Sequence, residues 1–164
     1  LRPDIIIMDI NMPGIGGLEA IGRLRKRNVK EKIIALTVHE TEPFPSRVLA
    51  AGAQGYLSKR CAPQELIQAI RKVYRGETFV TNQVMREINK TPGNDEAAIN
   101  KLTPREFQVF SLLAEGRTAV EIGHDMNLSH KTIHSHRSNI MKKLKLETSF
   151  SIVQFAILQG IVKN

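Results

Sequence analysis

One run of nineteen residues, 128–146 (LSHKTIHSHRSNIMKKLKL), restricts what this chain can become more than any other stretch. It holds five basic residues (Lys131, Arg137, Lys142, Lys143, Lys145), three histidines (His130, His134, His136) and no acid. At about 3.6 residues per turn the run sorts into two faces. Ile133, Ile140 and Leu144 share a narrow arc, with His136 beside them. Lys131, Ser135, Ser138 and Lys142 lie opposite, flanked by His134, Asn139 and Lys145. A helix with one apolar face and one face of cations and short polar side chains suits a DNA major groove: cations hold phosphates and short polar groups reach base edges. The plain alternative is a solvated basic face on an ordinary amphipathic helix, and the neighbouring residues decide between the two.

Those neighbours carry helix punctuation. Thr103-Pro104-Arg105-Glu106 is a capping box with proline at the first helical position. Phe107, Phe110 and Leu113 follow on one face, and Gly116 stops the helix. Thr118 to Glu121 is a second capping box, followed by Ile122 and Met126. Ser129 caps the basic run, and Thr148 caps a last helix carrying Ile152, Phe155, Ala156 and Leu158. Two short helices joined at Asn127-Leu128, the second basic, read as a helix-turn-helix.

Charge supports a polyanionic partner. The chain of 164 residues carries a formal net charge of +8, with a pI near 9.9. Up to Asn100 there are 15 basic and 11 acidic residues, and after it 9 and 5, so each part is +4 and the shorter part is the denser. Cys61 is the only cysteine, which excludes an intrachain disulfide and suits a reducing, cytoplasmic setting. No apolar run approaches the roughly 20 residues of a membrane span, and nothing has the pattern of a signal peptide. The chain opens at Leu1 and runs directly into a buried-looking strand, from which we expect residues upstream of it.

The first 80 residues alternate strand and helix. Asp4–Asp9 (DIIIMD) is a short apolar run suited to a strand buried on both faces. The Gly- and Pro-rich turn NMPGIGG follows, then a helix over 18–27, a strand over 32–38, a short helix over 46–51 that Pro45 keeps from extending backwards, a strand over 55–58, and a helix opened by Pro63. This alternation predicts a parallel α/β sheet of three strands. In such sheets sites form at the carboxyl ends of strands, and those ends carry Asp9, Thr37 and Lys59. A carboxylate, a hydroxyl and an ammonium suit an acyl phosphate site, with Asp9 as nucleophile and Thr37 and Lys59 binding phosphoryl oxygens. Singly, each also reads as a helix cap, a strand-end hydroxyl and a surface lysine; their occurrence at three successive strand ends favours the site. Between the halves, 81–101 reads as a linker, with a short helix possible over 83–88 and the boundary at Lys90–Glu96 (KTPGNDE).

Two resemblances follow. MDINMPGIGGLEAI, LTVH and AGAQGYLSK resemble segments of bacterial response-regulator receiver domains, covering about residues 3 to 80. The resemblance implies Asp9 as phosphoacceptor, the Asn11 main-chain carbonyl as a Mg²⁺ ligand beside Asp9, Thr37 and Tyr56 as a switch pair, Lys59 as the phosphate-pairing lysine, and a partner histidine kinase. Receivers of this flavodoxin-like fold have five strands and an acidic pair after the first; only counterparts of the third to fifth strands are read here. From this partial domain we expect weak Mg²⁺ binding, poor phosphorylation and an open sheet edge. The segment around Phe44, between two prolines, is expected to be irregular.

LTPREFQVFSLLAEG and EIGHDMNLSHKTIHSHRSNIMKKL resemble the LuxR-type helix-turn-helix domain, covering nearly all of 102–162. With the receiver, the chain resembles the NarL/FixJ class of response regulators. The expected architecture is α/β plus all-α, a partial receiver (1–80) followed by a four-helix DNA-binding domain (102–164). The resemblance implies a non-enzymatic, dimeric, phosphorylation-controlled transcription regulator. Its base-reading positions fall on His134, Ser135 and Ser138, its phosphate contacts on Lys131 and Lys142, with Thr132 and Asn139 in the same interface. Most members carry lysine where His134 stands; a histidine there should strengthen DNA binding as pH falls towards about 6.5. His136, beside the apolar arc, is expected to be packed and hydrogen-bonded in the core, and Arg137 to lie in an intramolecular ion pair. His130 and His134 are four apart on one face, but no cysteine or carboxylate nearby completes a zinc site.

Two rivals are weighed. A phosphatase or phosphotransferase built on Asp9 needs a second acid–base residue, and none is evident; Glu40 and Glu42 read as surface groups. A DNA-binding regulator whose receiver is only a dimerisation scaffold, not phosphorylated, is the second.

Overall fold

The computed structural model describes residues 3–89 and 94–162. The chain divides into two compact units, Leu1–Met12 with Gly17–Lys90 and Thr91–Asn164 with Pro13–Gly16. Of the anticipated boundary stretch, residues 90–93 lie outside the described residues.

The first unit runs β1 (Ile5–Asp9), α1 (Gly17–Lys26), β2 (Lys32–Thr37), α2 (Phe44–Ala50), β3 (Gly55–Ser58), α3 (Pro63–Tyr74), β4 (Phe79–Val80) and α4 (Asn82–Ile88). The strands form one parallel sheet in the order β1-β2-β3-β4. Ile33, Ile34 and Ala35 are fully buried, which is why β2 reads as an unbroken apolar run rather than an alternation. Ile34 and Leu57 pack with Ala69 and Val73 of α3, and Phe79 lies against the same cluster.

Two expectations are corrected here. The sheet has a fourth strand, β4, paired through Gly55↔Phe79 and Tyr56↔Val80. Two residues carry no period-2 signal, so sequence pattern had nothing to register. Pro45 does not stop α2, which begins at Phe44 and buries both residues. At that first turn the missing proline N–H costs no helical bond. The 83–88 helix forms as Asn82–Ile88, and its Val84 is buried.

Arg25 holds the turns of this unit together. Its Nε donates to the Gly52 carbonyl (3.0 Å), Nη1 to the carbonyls of Val29 (2.7 Å) and Glu31 (3.0 Å), and Nη2 to Gln54 Oε1 (3.0 Å). Gln54 Oε1 also accepts the Ile33 N–H (2.8 Å), so one cation and one amide satisfy four segments. Gly17 is required where α1 begins: a Cβ there would lie 2.4 Å from the Asp9 carbonyl.

The second unit runs α5 (Asn94–Ile99), α6 (Pro104–Ala114), α7 (Ala119–Met126), α8 (His130–Leu144) and α9 (Ser149–Leu158). The four anticipated helices are present and α5 precedes them, with Ile99 buried and packed towards α8. Both capping boxes form: Thr103 with Glu106 and Thr118 with Glu121. Ser129 caps α8 and Thr148 caps α9. Phe107, Phe110, Ile122, Met126, Ile133, Ile140, Ile152 and Ala156 make the core, and the Phe110 and Phe155 rings meet edge to face at 6.2 Å.

Glu106 does more than cap. It is 5% exposed; its Oε2 accepts the Thr103 N–H (2.8 Å) and pairs with Lys143 Nζ of α8 (2.6 Å). Lys143 also donates to the Lys101 carbonyl (3.3 Å). Burial raises the Glu106 carboxyl, but the Lys143 ammonium and the Thr103 hydrogen bonds outweigh it and hold it below the usual carboxylate range.

Two stability predictions follow from these contacts. Gly17→Ala should destabilise the first unit by about 1–3 kcal/mol, whereas Gly22→Ala, with nothing within 4 Å of its Cβ, should be neutral or stabilising by up to about 1 kcal/mol; urea unfolding of both variants checks the contrast. Lys143→Met should cost the second unit about 1–3 kcal/mol near neutral pH by leaving Glu106 buried and unpaired. Because the folded Glu106 carboxyl is held low, its contribution is full above the unfolded value of about 4.3 and is lost as pH falls through the folded value. Urea titrations followed at the Ile133 and Ile140 amides should therefore show a smaller loss between about pH 6 and pH 3 in Glu106→Gln than in the wild type; equal losses would remove the ion pair from the account.

Candidate functional site

Parallel pairing brings Asp9, Thr37 and Lys59 to one end of the sheet. Asp9 is opposite Leu36 and Thr37 opposite Ser58 in the strand register, and the Lys59 N–H donates to the Thr37 carbonyl (2.7 Å). Lys59 Nζ reaches Asp9 Oδ2 at 2.6 Å, both side chains being about one-third exposed (38% and 36%). Asp9 Oδ1 accepts the Asn11 N–H (2.8 Å), so the loop after β1 folds back on the carboxylate. This is an exposed carboxylate with an ammonium already against it, a geometry in which an added anion on the carboxylate would meet a cation.

Thr37 is fully buried and is not engaged with Asp9. Its hydroxyl accepts the His39 N–H (3.0 Å) and lies close enough to the Tyr56 phenol to lower its pKa. Tyr56 is also fully buried, and its phenol donates to the His39 carbonyl (2.6 Å). Burial pushes that phenol far up, partly offset by Thr37, while Glu42 and Glu40 add to the rise. The structure thus pairs Asp9 with Lys59 and, separately, hangs both Thr37 and Tyr56 on the main chain of His39.

His39 is a residue that the sequence reading missed. Its ring stacks on Phe44 at 3.8 Å, its Nε2 lies 3.1 Å from Asn11 Nδ2, and burial holds its basicity below the ordinary value. Glu40 is not the idle surface group anticipated: Ser58 Oγ donates to it, and Gln83 of α4 approaches its other oxygen at 3.4 Å. No local pattern marks either, because both roles come from where the loop after β2 is packed.

A metal at this end would draw on Asp9 and the Asn11 carbonyl. Among the described residues no group of three or more His, Cys, Asp or Glu could hold a metal ion. Mg²⁺ takes near-octahedral oxygen ligation, so these two ligands fit part of such a site and do not complete it.

In the second unit, α7 and α8 are joined by a turn with Asn127 in the left-handed conformation (φ 53°). The Leu128 N–H donates to the Gly123 carbonyl (2.8 Å), and a Cβ on Gly123 would lie 2.7 Å from the Leu128 carbonyl, so the helices approach closely there because residue 123 has no side chain. On α8, Ile133 and Ile140 are fully buried and Leu144 is 6% exposed. Lys131, His134, Ser135, Ser138, Asn139 and Lys142 are all exposed. Thr132 is half-buried, its hydroxyl 2.9 Å from that of Ser129 and its N–H held by the Ser129 cap (3.1 Å). Ser135 Oγ donates to the Lys131 carbonyl (3.1 Å), which leaves its lone pairs outward. Lys131 and Lys142 are eleven residues apart, about 16 Å along the helix axis, against a major groove about 12 Å wide.

Two anticipated contacts differ. Arg137 donates to the Ser149 hydroxyl of α9 rather than to a carboxylate. His136 is half-buried, at the margin of the core, without a hydrogen bond among the described residues. The His130 and His134 rings are edge to face at 6.4 Å.

Comparison with known proteins agrees with this division. Residues 1–71 match the response regulator receiver domain family, and residues 100–156 match the bacterial regulatory proteins of the luxR family. The chain is 38% identical over 161 residues to the response regulator UvrY of Escherichia coli K12, covering 96% of this chain and 74% of UvrY. It is 33% identical over 165 residues to the response regulator GacA of Pseudomonas aeruginosa, covering 99% and 77%. Among solved structures it is similar to RcsB of Salmonella enterica serovar Typhimurium bound to promoter rprA in the presence of phosphomimetic BeF3- (TM-score 0.63, 28% identity, 94% of this chain and 75% of that one). It is also similar to RcsB in an RcsB–DNA complex (TM-score 0.52, 29% identity, 99% and 77%). Receiver plus luxR-family regulatory domain, matched along nearly the whole chain, places this protein in the family of two-component response regulators with a LuxR-type helix-turn-helix, a class of transcription regulators rather than enzymes.

Proposed function

We propose that the chain binds duplex DNA sequence-specifically through the exposed face of α8, under control of phosphorylation at Asp9 by a sensor histidine kinase. The observation that carries this reading is the split of α8: Ile133, Ile140 and Leu144 are buried while Lys131, His134, Ser135, Ser138, Asn139 and Lys142 are exposed. RcsB, to which the chain is similar, has been solved as a DNA complex. Lys131 and Lys142, spaced further apart than the groove is wide, hold phosphates across it. His134, Ser135, Ser138 and Asn139 lie between them towards base edges, and Thr132 secures the first turn. The protein acts in the cytoplasm as a homodimer on two half-sites; among the described residues no helix is long and apolar enough to cross a membrane.

In the control step an Asp9 carboxylate oxygen attacks the phosphorus of a phosphohistidine. The N–P bond breaks, the imidazole leaves with its electron pair, and an acyl phosphate forms. Lys59, already on Asp9 Oδ2, pairs with the phosphoryl oxygens. Thr37 turns from the His39 N–H to the phosphoryl group, which leaves the neighbouring Tyr56 room to move. Asp9 and the Asn11 carbonyl would supply part of the ligation of a Mg²⁺ ion, which would offset phosphoryl charge there.

Titrating a duplex with the phosphorylated chain over a range of salt tests the DNA reading. Lys131→Gln and Lys142→Gln should each make the plot of log Kobs against log salt shallower by about one unit without changing sequence preference. Ser138→Ala should instead relax that preference; variants that all bind as the wild type does would refute the assignment. For Asp9, acetyl phosphate with Mg²⁺ should give an alkali-labile label that Asp9→Asn lacks and Lys59→Ala reduces; a label that survives Asp9→Asn places the acceptor elsewhere.

A further inference from the structure

The first unit is electrically lopsided. In a parallel sheet all strand starts lie at one end, with the helix C-termini that feed them. In β2 that end is about 16 Å from Thr37, remote from Asp9. Lys26 and Arg27 stand at the C-terminus of α1 and Lys30 precedes β2; Arg71, Lys72 and Arg75 crowd the C-terminus of α3. All six are exposed. Lys26, Arg27, Lys30, Arg71 and Arg75 have no side-chain hydrogen bond or ion pair among the described residues, and Lys72 lies only over the Phe79 ring (5.6 Å to its centroid). Lys32 joins the two groups: its Nζ donates to the Tyr74 carbonyl (2.5 Å) and lies 5.6 Å from the Tyr74 ring centroid. Tyr74 is 59% exposed among these cations.

Helix dipoles account for part of this. Cations at helix C-termini answer roughly half a negative charge per helix, about one charge for α1 and α3 together. Asp4, Glu31 and Glu77 supply the carboxylates of this end, and none pairs with the six cations. The six cations with Lys32 therefore exceed both together by about three charges. An exposed tyrosine amid free guanidinium and ammonium groups matches phosphate oxygens, which accept from Arg, Lys and the Tyr hydroxyl alike.

We propose that this end of the first unit is a second, sequence-independent contact for the phosphate backbone of duplex DNA. The inference rests on the reading of α8 as the DNA-binding helix: once α8 holds a duplex, the covalently joined first unit meets the flanking DNA at high effective concentration, so a few weak contacts suffice. It adds affinity and salt dependence, not base selectivity.

The test uses the full chain with Lys26→Gln, Lys30→Gln, Arg71→Gln and Arg75→Gln combined, unfolding at the wild-type temperature. On a long duplex its log–log salt slope should be shallower by about two to four units, with the ratio of specific to scrambled affinity unchanged. The wild type should gain affinity as the duplex is lengthened beyond its recognition site, and the combined variant should not. Arg71→Lys with Arg75→Lys should keep the wild-type slope, since charge rather than shape is at issue. An unchanged slope in the combined variant, while Lys131→Gln still lowers it, overturns this inference and spares the reading of α8. A slope change seen with single-stranded RNA but not with duplex also overturns it. Absence of duplex binding by the wild type removes both readings.

Discussion

The Glu106 carboxylate is the contact on which the second unit depends. It closes the capping box of α6 through the Thr103 N–H and at the same time takes the ammonium of Lys143 from α8. A buried carboxylate is costly unless it is paired and hydrogen-bonded, and here both conditions are met, by the α6 cap and by a lysine of α8. The start of one helix is thereby tied to the last turn of another. That turn also carries Lys142, so the position of one exposed cation is set by its ion-paired neighbour. Two adjacent lysines of the same chemistry have different work because the helix turns by about 100° between them.

The first unit is organised by a different constraint, the direction of its strands. Parallel pairing collects strand ends, so Asp9 and Lys59 meet across fifty positions of sequence, while the turn-side cations collect at the other end. Arg25 and Gln54 then satisfy the turns that join helix to strand. Thr37 and Tyr56 sit apart from the Asp9–Lys59 pair, each bonded to the main chain of His39. Under the proposed phosphorylation, a charge added at Asp9 would offer Thr37 an alternative to its main-chain partner, which is what a switch requires.

Local rules carried a large part of this structure. The caps at Thr103, Thr118, Ser129 and Thr148 were legible because each closes within three residues of itself. The amphipathic split of α8 was legible because burial follows its period. Where partners are distant, the reading stopped or went astray. Nothing in the sequence ties Lys143 to Glu106, and Arg137 found a hydroxyl where a carboxylate was anticipated. Pro45 was read as a stop, although its place in the first turn of α2 makes it harmless. A two-residue strand such as β4 is defined by its partner, not by its own pattern.

Spacing alone displays three of the strands, most of the helices and their caps, the strand-end places of Asp9, Thr37 and Lys59, and the polar side of α8. These depend on spacing along one segment, and spacing is what a sequence displays. Tertiary packing sets Lys143 on Glu106 while Lys142 stays exposed, buries Thr37 on the His39 N–H rather than on Asp9, brings His39 and Glu40 into the loop beside the site, and gathers the free cations of α1 and α3 at one end of the sheet. Each of these is a pairing between segments far apart in the chain, settled by which buried polar groups must find partners and which charges are left to the solvent.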